Sequence, residues 1–335
     1  MSEQRASHGD LSHDFLPSAD WSRLQLRARL LARTRAFFAA HGFLEVETPL
    51  VSADTVVDRY LDPLSVTLPD DPRAPERGRQ LWLQTSPEFG MKRLMAAGGQ
   101  AIYQITRAFR GGESGPRHNP EFTIIEWYRC GDTMSDGMQL LSDLAEALLG
   151  LGPADRVSYA EAFAWRVGLN PHLATVDQLR AAAERLNVHA SGSFAETDRD
   201  NWLNLLVALV VEPELGKARP TILHSYPASQ AALARVTGDP PVAERFELYV
   251  RGVELANGYH ELLDPEVLRA RNRAANLARA ADGRRALPEE SRLLAAMDHG
   301  LPACTGVALG FDRVVMLAAG AESLADVTAF PIDRA

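Results

Sequence analysis

Arg110 heads a stretch rich in glycine and proline, with Gly111, Gly112, Gly115, Pro116 and Pro120 passing before Phe122. Glycines let backbone approach a ligand closely, and an arginine beside them can fork onto phosphate or carboxylate oxygens. Phe122 offers a ring on which a flat base could stack. A solvated hairpin loop with its arginines in water fits the same spacing. A second group is acidic: Glu247 and Glu254 flank Arg251 and Gly252, which suit a two-residue turn. That register sets Tyr249 opposite Glu254 and Glu247 opposite Ala256, placing the two glutamates on one face as diagonal neighbours about 7–8 Å apart. Two carboxylates so placed could share magnesium with phosphate oxygens, while from the residues alone an outward polar face is the favoured explanation. Glu261 lies an odd number of residues beyond Glu254, so it joins that face only if a bulge intervenes, expected at Asn257–Gly258. Asp312 reads as the cap of an expected helix that carries Arg313 in its first turn. A cation there opposes the helix dipole, which leaves a phosphate partner as the better reason for it.

These residues need elements to hold them. Residues 101–109 and 122–128 read as two β-branched and aromatic strands joined by the long loop that starts at Arg110. Ser86, Pro87 and Glu88 open a helix after the strand 80–85, with Ser86 as cap, Pro87 in the first position and Glu88 at the positive end of the dipole. An amphipathic helix is expected from Trp21 to His41, carrying Leu24, Leu31 and Phe38 and stopped by Gly42. Its arginines (Arg23, Arg27, Arg29, Arg33 and Arg35) read as a solvated face, as do those of a helix running from Pro265 to about Asp282. The middle, about 135–211, reads as a helical insertion with Met138, Leu141, Leu144 and Leu148 on one stripe; residues 155–169 fit neither helix nor strand clearly. Residues 1–20, with His8 and His13, are expected to be a disordered tail ahead of a single domain from 21 to 335.

The chain has 335 residues, 46% of them hydrophobic and 24% charged, which is ample for a buried core. Cys130 and Cys304 make neither a disulfide framework nor a metal spacing, and no membrane span or signal peptide is evident, so a cytoplasmic protein is expected. A net charge of −9 counts against a broad basic footprint for nucleic acid.

Arg110 with residues 118–123, from His118 to Thr123, resembles motif 2 of the class II aminoacyl-tRNA synthetases in its lysyl form. Residues 41–49, from His41 to Pro49, resemble motif 1, and residues 306–317, from Gly306 to Leu317, resemble motif 3. Residues 227–231 and 254–262 bring the chain nearer still to the freestanding, lysyl-synthetase-like ligases that modify elongation factor P. The resemblance covers about Trp21 to the C-terminus and implies an α+β fold, an antiparallel sheet flanked by helices. It also implies a homodimer through the motif 1 helix and strand, and no anticodon-reading domain.

By the same resemblance, (R)-β-lysine is activated with ATP and Mg²⁺ and passed to a lysine of elongation factor P. Arg110 would hold the α-phosphate and carboxylate, and Arg313 the γ-phosphate. Phe122 and Arg313 would sandwich adenine, His118 and Asn119 would help seat the nucleotide with Gly111 and Gly112 beside them, Glu254 would lie at the ATP, and Leu255 and Gly310 would add backbone contacts. Glu247 and Glu254 would bind Mg²⁺. Ser86, Pro87 and Glu88 would touch the amino acid, with Tyr128 and Glu261 on its distal amine. Two departures stand out. Gly111 and Gly112 occupy the positions where the family continues arginine–any–glutamate, moving the acid to Glu113. Ala308 stands where lysyl-tRNA synthetases usually have glycine, a methyl worth roughly 1–3 kcal/mol of selectivity that the ligases share. The alternatives are a lysine-activating core that charges tRNA and a non-catalytic amino-acid sensor.

Overall fold

The computed structural model describes residues 15–190 and 195–335; His8 and His13 lie outside them. Of the expected tail, residues 18 and 19 are tied to the far end of the chain, Ser18 N–H donating to Ala329 O and Ala19 N–H to Thr328 O. Asp20 then caps α1 (Trp21–Ala40) by accepting the Arg23 N–H, and Gly42 at φ +76 ends it. Leu30, Thr34 and Phe38 form its buried stripe. Its arginines are not uniformly solvated: Arg27 is largely buried and pairs with Asp312 at 2.6 Å.

The next elements are β1 (Leu44–Glu45), β2 (Val51–Ser52), β3 (Ser65–Pro69), β4 (Gly78–Leu83), α2 (Glu88–Ala96), β5 (Ala101–Phe109) and β6 (Glu121–Cys130). Ser86 Oγ accepts the Glu88 N–H as expected of a cap, but the helix starts one residue later than expected, with Pro87 just outside it. After α3 (Met134–Leu149) come β7 (Asp155–Ser158) and α4 (Tyr159–Val167), which resolve the stretch that sequence left unassigned. Two capping boxes, Thr133 with Asp136 and Ser158 with Glu161, fix the starts of α3 and α4. Then follow α5 (Val176–Arg185), α6 (Arg199–Leu206), a π-helical turn at 207–211, β8 (Thr221–Pro227), β9 (Val236–Thr237), β10 (Val242–Val250), β11 (Val253–His260), α7 (Pro265–Ala281), α8 (Arg292–Gly300), β12 (Cys304–Gly310) and α9 (Phe311–Ala318).

The main sheet runs β1-β5-β6-β12-β11-β10-β8-β7, with β9 paired to β10, while β2, β4 and β3 make a small second sheet. The centre is antiparallel; the edge pairs β1/β5 and β7/β8 are parallel. This is the expected α+β class, with a sheet mixed at its rims. One face of the sheet is covered by α1, α3 and α9 through Phe38, Leu141, Leu144, Phe246, Leu248 and Val315. α4, α5 and α6 gather round Phe163, Leu179, Trp202 and Leu223, and α2 meets α8 through Met91, Met95, Leu293 and Leu294. The arginines of α7 also depart from the solvated reading. Arg279 is 2% exposed and binds Asp62 and the carbonyls of Asp58 and Leu61, anchoring the loop that closes one side of the site. No helix among the described residues is long and apolar enough to cross a membrane.

Candidate active site

Strand alternation puts Phe122, Ile124, Glu126 and Tyr128 of β6 on the sheet face opposite the main core. The neighbours in register are Gly306, Ala308 and Gly310 of β12, and Tyr259 and Asn257 of β11. A cavity of about 1100 Å³ lies over this face, lined by Ser86, Glu88, Arg110, Phe122, Glu254, Leu255, Ala308 and Arg313 among others. His118, Asn119, Tyr128, Glu247, Glu261 and Gly310 line it too; Pro87, Gly111 and Gly112 do not.

The loop from Arg110 to Pro120 is closed by the Arg110 N–H donating to Pro120 O at 2.9 Å. Gly111 donates to Asp62 O at 2.7 Å, and a Cβ at Gly111 would sit 3.1 Å from that oxygen. Gly112 has φ +78, a conformation costly for any side chain, so the chain turns there and Glu113 is the acid that reaches the cavity. Its Oε1 is 3.8 Å from Arg110 Nη1. The Arg110 guanidinium lies 5.0 Å from the Phe122 ring centroid, and its Nε, though buried, has no partner among the described residues.

Arg313 reaches back from the first turn of α9. It donates to Glu254 O at 2.8 Å and Arg117 O at 3.2 Å, and its Nη2 lies 2.7 Å from His118 Nε2. Burial and then Arg313 hold His118 below the usual imidazole range, so the ring is neutral and its Nε2 accepts. Asp312 is not the helix cap that sequence suggested; Gly310 holds that place. The Asp312 carboxylate instead accepts the Thr123 N–H at 2.9 Å and pairs with Arg27, locking α9 to β6 and α1. The Asn119 side chain is likewise committed to the scaffold, donating to Glu121 O and accepting the Ile332 N–H.

The acidic hairpin turns at Arg251 and Gly252, both at positive φ, and sets Tyr249 opposite Glu254 as expected. Beyond that pair the register shifts: Leu248 faces Ala256 and Glu247 faces Asn257, not Ala256. The extra residue is Leu255, so the expected bulge exists two positions before Asn257. Gly258 has a different reason, since a Cβ there would come within 2.5 Å of the Phe246 ring. The bulge restores parity and brings Glu261 to the face that holds Glu247 and Glu254.

The two hairpin carboxylates differ in availability. Glu247 is buried, takes the hydroxyls of Tyr226 and Tyr249 at 2.6 Å each on Oε2, and pairs with Arg245 through Oε1. Glu254 is partly exposed, with Arg313 3.7 Å away. Its oxygens face the cavity, but the protein packed around them thins their water, and this and then Glu247 push Glu254 up to about 7. Glu212, which sequence reasoning missed, also lines this end, and burial followed by Glu247 raises it. No group of three or more metal-ligating side chains occurs among the described residues. A divalent ion here would therefore take Glu254, the remaining capacity of Glu247 Oε1, and oxygens from ligand and water, as magnesium does.

At the other end Glu88, Glu126, Tyr128 and Glu261 converge, with Lys92 behind them. Gly306 permits it: a Cβ would fall 2.2 Å from the Tyr128 ring and 2.3 Å from Glu261 Oε1. Glu126 Oε1 accepts the Tyr128 hydroxyl at 2.6 Å, and Oε2 is buried without a partner among the described residues. Burial, then Glu88, pushes Glu126 up to about 8; burial also pushes Glu261 up to about 7, with Lys92 opposing. Sequence reasoning missed Glu126 and Lys92. The signals were present, since Glu126 is two residues from Tyr128 on a strand and Lys92 four from Glu88 on a helix.

The family described as tRNA synthetases class II (D, K and N) matches residues 14–334. The chain is 47% identical over 320 residues to proteins named elongation factor P–(R)-β-lysine ligase from Salmonella paratyphi B and Salmonella schwarzengrund, covering 95% of this chain and 98% of each relative. A relative of the same name from Salmonella dublin stands at the same identity and coverage.

Proposed function

From the premise that this chain belongs to the class II tRNA synthetases (D, K and N), we propose that it is an ATP-dependent ligase that joins (R)-β-lysine to a lysine of elongation factor P. One observation carries this beyond the relatives' name: a single cavity is lined at one end by Arg110 and Arg313, and at the other by three buried carboxylates and a tyrosine. Arginines suit phosphates, and the carboxylate end suits ammonium groups.

In the first step a substrate carboxylate oxygen attacks the α-phosphorus of ATP, and the bond to pyrophosphate breaks. Arg110 spans the carboxylate and α-phosphate, neutralising charge as it builds on the non-bridging oxygens. Arg313, held in place by Glu254 O and His118, takes the γ-phosphate. Phe122 stacks on adenine, and Glu113 assumes the adenine contact displaced from Gly112. Magnesium, held by Glu254 and Glu247, supplies charge neutralisation along the polyphosphate when bound. Glu88, Glu126, Tyr128 and Glu261 bind the two ammonium groups, so the carboxylate is presented to phosphorus. In the second step a neutral ε-amine of the acceptor lysine attacks the acyl carbon; the acyl–phosphate bond breaks, AMP leaves, and the nitrogen loses a proton to give the amide.

Leu44, Leu50 and Val51, in or just after the motif 1 segment that follows α1, are exposed, which supports a homodimer across that region. Two free cysteines, Cys130 and Cys304, suit a reducing cytoplasm.

The test is ATP–pyrophosphate exchange without tRNA, comparing (R)-β-lysine with α-lysine, followed by mass analysis of elongation factor P. Exchange strongest with β-lysine and a mass gain on one lysine of the acceptor are expected. Charging of tRNA with α-lysine would overturn the proposal in favour of a synthetase. Binding without exchange would leave a sensor.

A further inference from the structure

Lys92 is 2% exposed and does not line the cavity, yet its ammonium touches two carboxylates that do. Nζ lies 2.5 Å from Glu88 Oε1 and 2.5 Å from Glu261 Oε2, and 5.9 Å from the centroid of the Tyr128 ring. Lys92 and Glu88 share one face of α2, while the seam of α2 with α8 is apolar, built from Met91, Met95, Leu293, Leu294 and Met297. The ionisable groups around Lys92 are Glu88 on its own helix, Glu126 and Tyr128 on β6, Glu261 after β11 and Cys304 on β12. Burial raises the Cys304 thiol, so it stays neutral.

Three buried carboxylates thus confront one fixed ammonium, an excess of two negative charges if all are ionised. A buried carboxylate without a counter-charge takes up a proton instead of staying ionised. With Lys92 in place, two arriving ammonium groups complete the balance; without it, they do not. We propose that Lys92 is a positioning residue that fixes the charge of the amino-acid pocket, so that only a substrate bringing two ammonium groups neutralises it. The inference rests on the diamino-acid reading above and adds to it the device that counts the substrate's charges.

The experiment measures kcat and KM for (R)-β-lysine in ATP–pyrophosphate exchange across the pH range in the wild type, Lys92→Met, Glu126→Gln and the double variant. Lys92→Met raises KM about 30-fold or more near neutral pH, because one partner of a buried charge pair is lost. The KM for ATP is unchanged, and the acidic limb of kcat/KM moves to higher pH, since the carboxylates ionise less readily without the lysine. The double variant removes one carboxylate along with the ammonium, restoring an excess of two. It recovers at least about tenfold of the loss and returns the limb towards the wild type, a non-additivity that a purely structural pin would not produce. Glu126→Gln alone keeps Lys92 and leaves an excess of one. It narrows the preference for (R)-β-lysine over the same acid lacking the distal amine by at least about tenfold, a readout that stands even if Lys92→Met does not fold. An unmoved pH profile in Lys92→Met, additive losses in the double variant, or an unchanged preference in Glu126→Gln overturns the inference. Wild-type protein that shows no exchange with β-lysine sinks the functional reading instead, so the two failures are told apart.

Discussion

Arg27 on α1 and Asp312 on α9 meet at 2.6 Å, with side chains 15% and 7% exposed, and the same carboxylate accepts the Thr123 N–H from β6. A residue of motif 3 thereby binds the motif 2 strand and the helix that precedes motif 1. Arg27→Met leaves the Asp312 charge buried against one N–H. It is expected to lower unfolding free energy by about 3 kcal/mol in denaturant titration. The start of α9, which carries Arg313, is then held less firmly to α1, so the KM for ATP is expected to rise as well.

Gly306→Ala tests the crowding at the amino-acid end. The new Cβ would overlap Tyr128 and Glu261, whose backbones lie in the centre of the sheet or beside it. The KM for the amino acid is expected to rise at least about 100-fold with the ATP site intact, as judged by nucleotide binding in calorimetry. Ala308→Gly, by contrast, adds room on the same strand. It should shift the β-lysine to α-lysine ratio of kcat/KM towards α-lysine by about 10-fold or more.

Glu126 makes the empty protein sensitive to pH. Its ordinary value is near 4.5, and burial followed by Glu88 pushes it up to about 8 in the folded chain. Between those values the unfolded chain has lost the proton and the folded chain keeps it, so stability falls as pH rises through the window and levels off above it. Glu126→Gln has no proton to lose. Its Tm should fall less between pH 5 and pH 8 than that of the wild type, and above that window it should be the more stable protein by about 2 kcal/mol. A variant that tracks the wild type across the whole range would disprove this.

The two hairpin glutamates should separate in their response to metal. Glu254→Gln, on the partly exposed carboxylate, is expected to fold normally and to need at least about tenfold more Mg²⁺ for half-maximal exchange. Glu247→Gln leaves Arg245 buried beside a neutral amide. It should lower unfolding free energy by about 3 kcal/mol whether or not magnesium is present. Equal metal dependence in the two variants would count against the division of labour.

Much of this was legible in the chain because local periodicity set it. β5 occupies the residues that alternation assigned to it, and the positive-φ turn at Arg251 and Gly252 fixed the pairing of Tyr249 with Glu254. What escaped was decided at long range. Arg27 and Arg279 look like surface residues on their own helices, and only the arrival of Asp312 and Asp62 makes them interior ones. Glu126 and Lys92 carried only a spacing, two residues from Tyr128 on a strand and four from Glu88 on a helix, and the convergence of β6, α2 and Glu261 is what brings them together. The bulge was expected at the glycine, but Gly258 serves the ring of Phe246, and the extra residue is a leucine that no local signal marks.

That leucine gives β11 two reading frames. Before Leu255 the strand presents Glu254 to the end of the cavity that holds Arg313, and after it the same face presents Asn257, Tyr259 and Glu261 towards the carboxylate end. A strand of uninterrupted pleat could serve one of these ends but would turn its back on the other. The length of this stretch is therefore as tightly bound as its side chains: deleting or adding one residue between Glu254 and Glu261 would carry Glu261, which we propose to meet the substrate's amine, through the sheet and into the hydrocarbon on its far side.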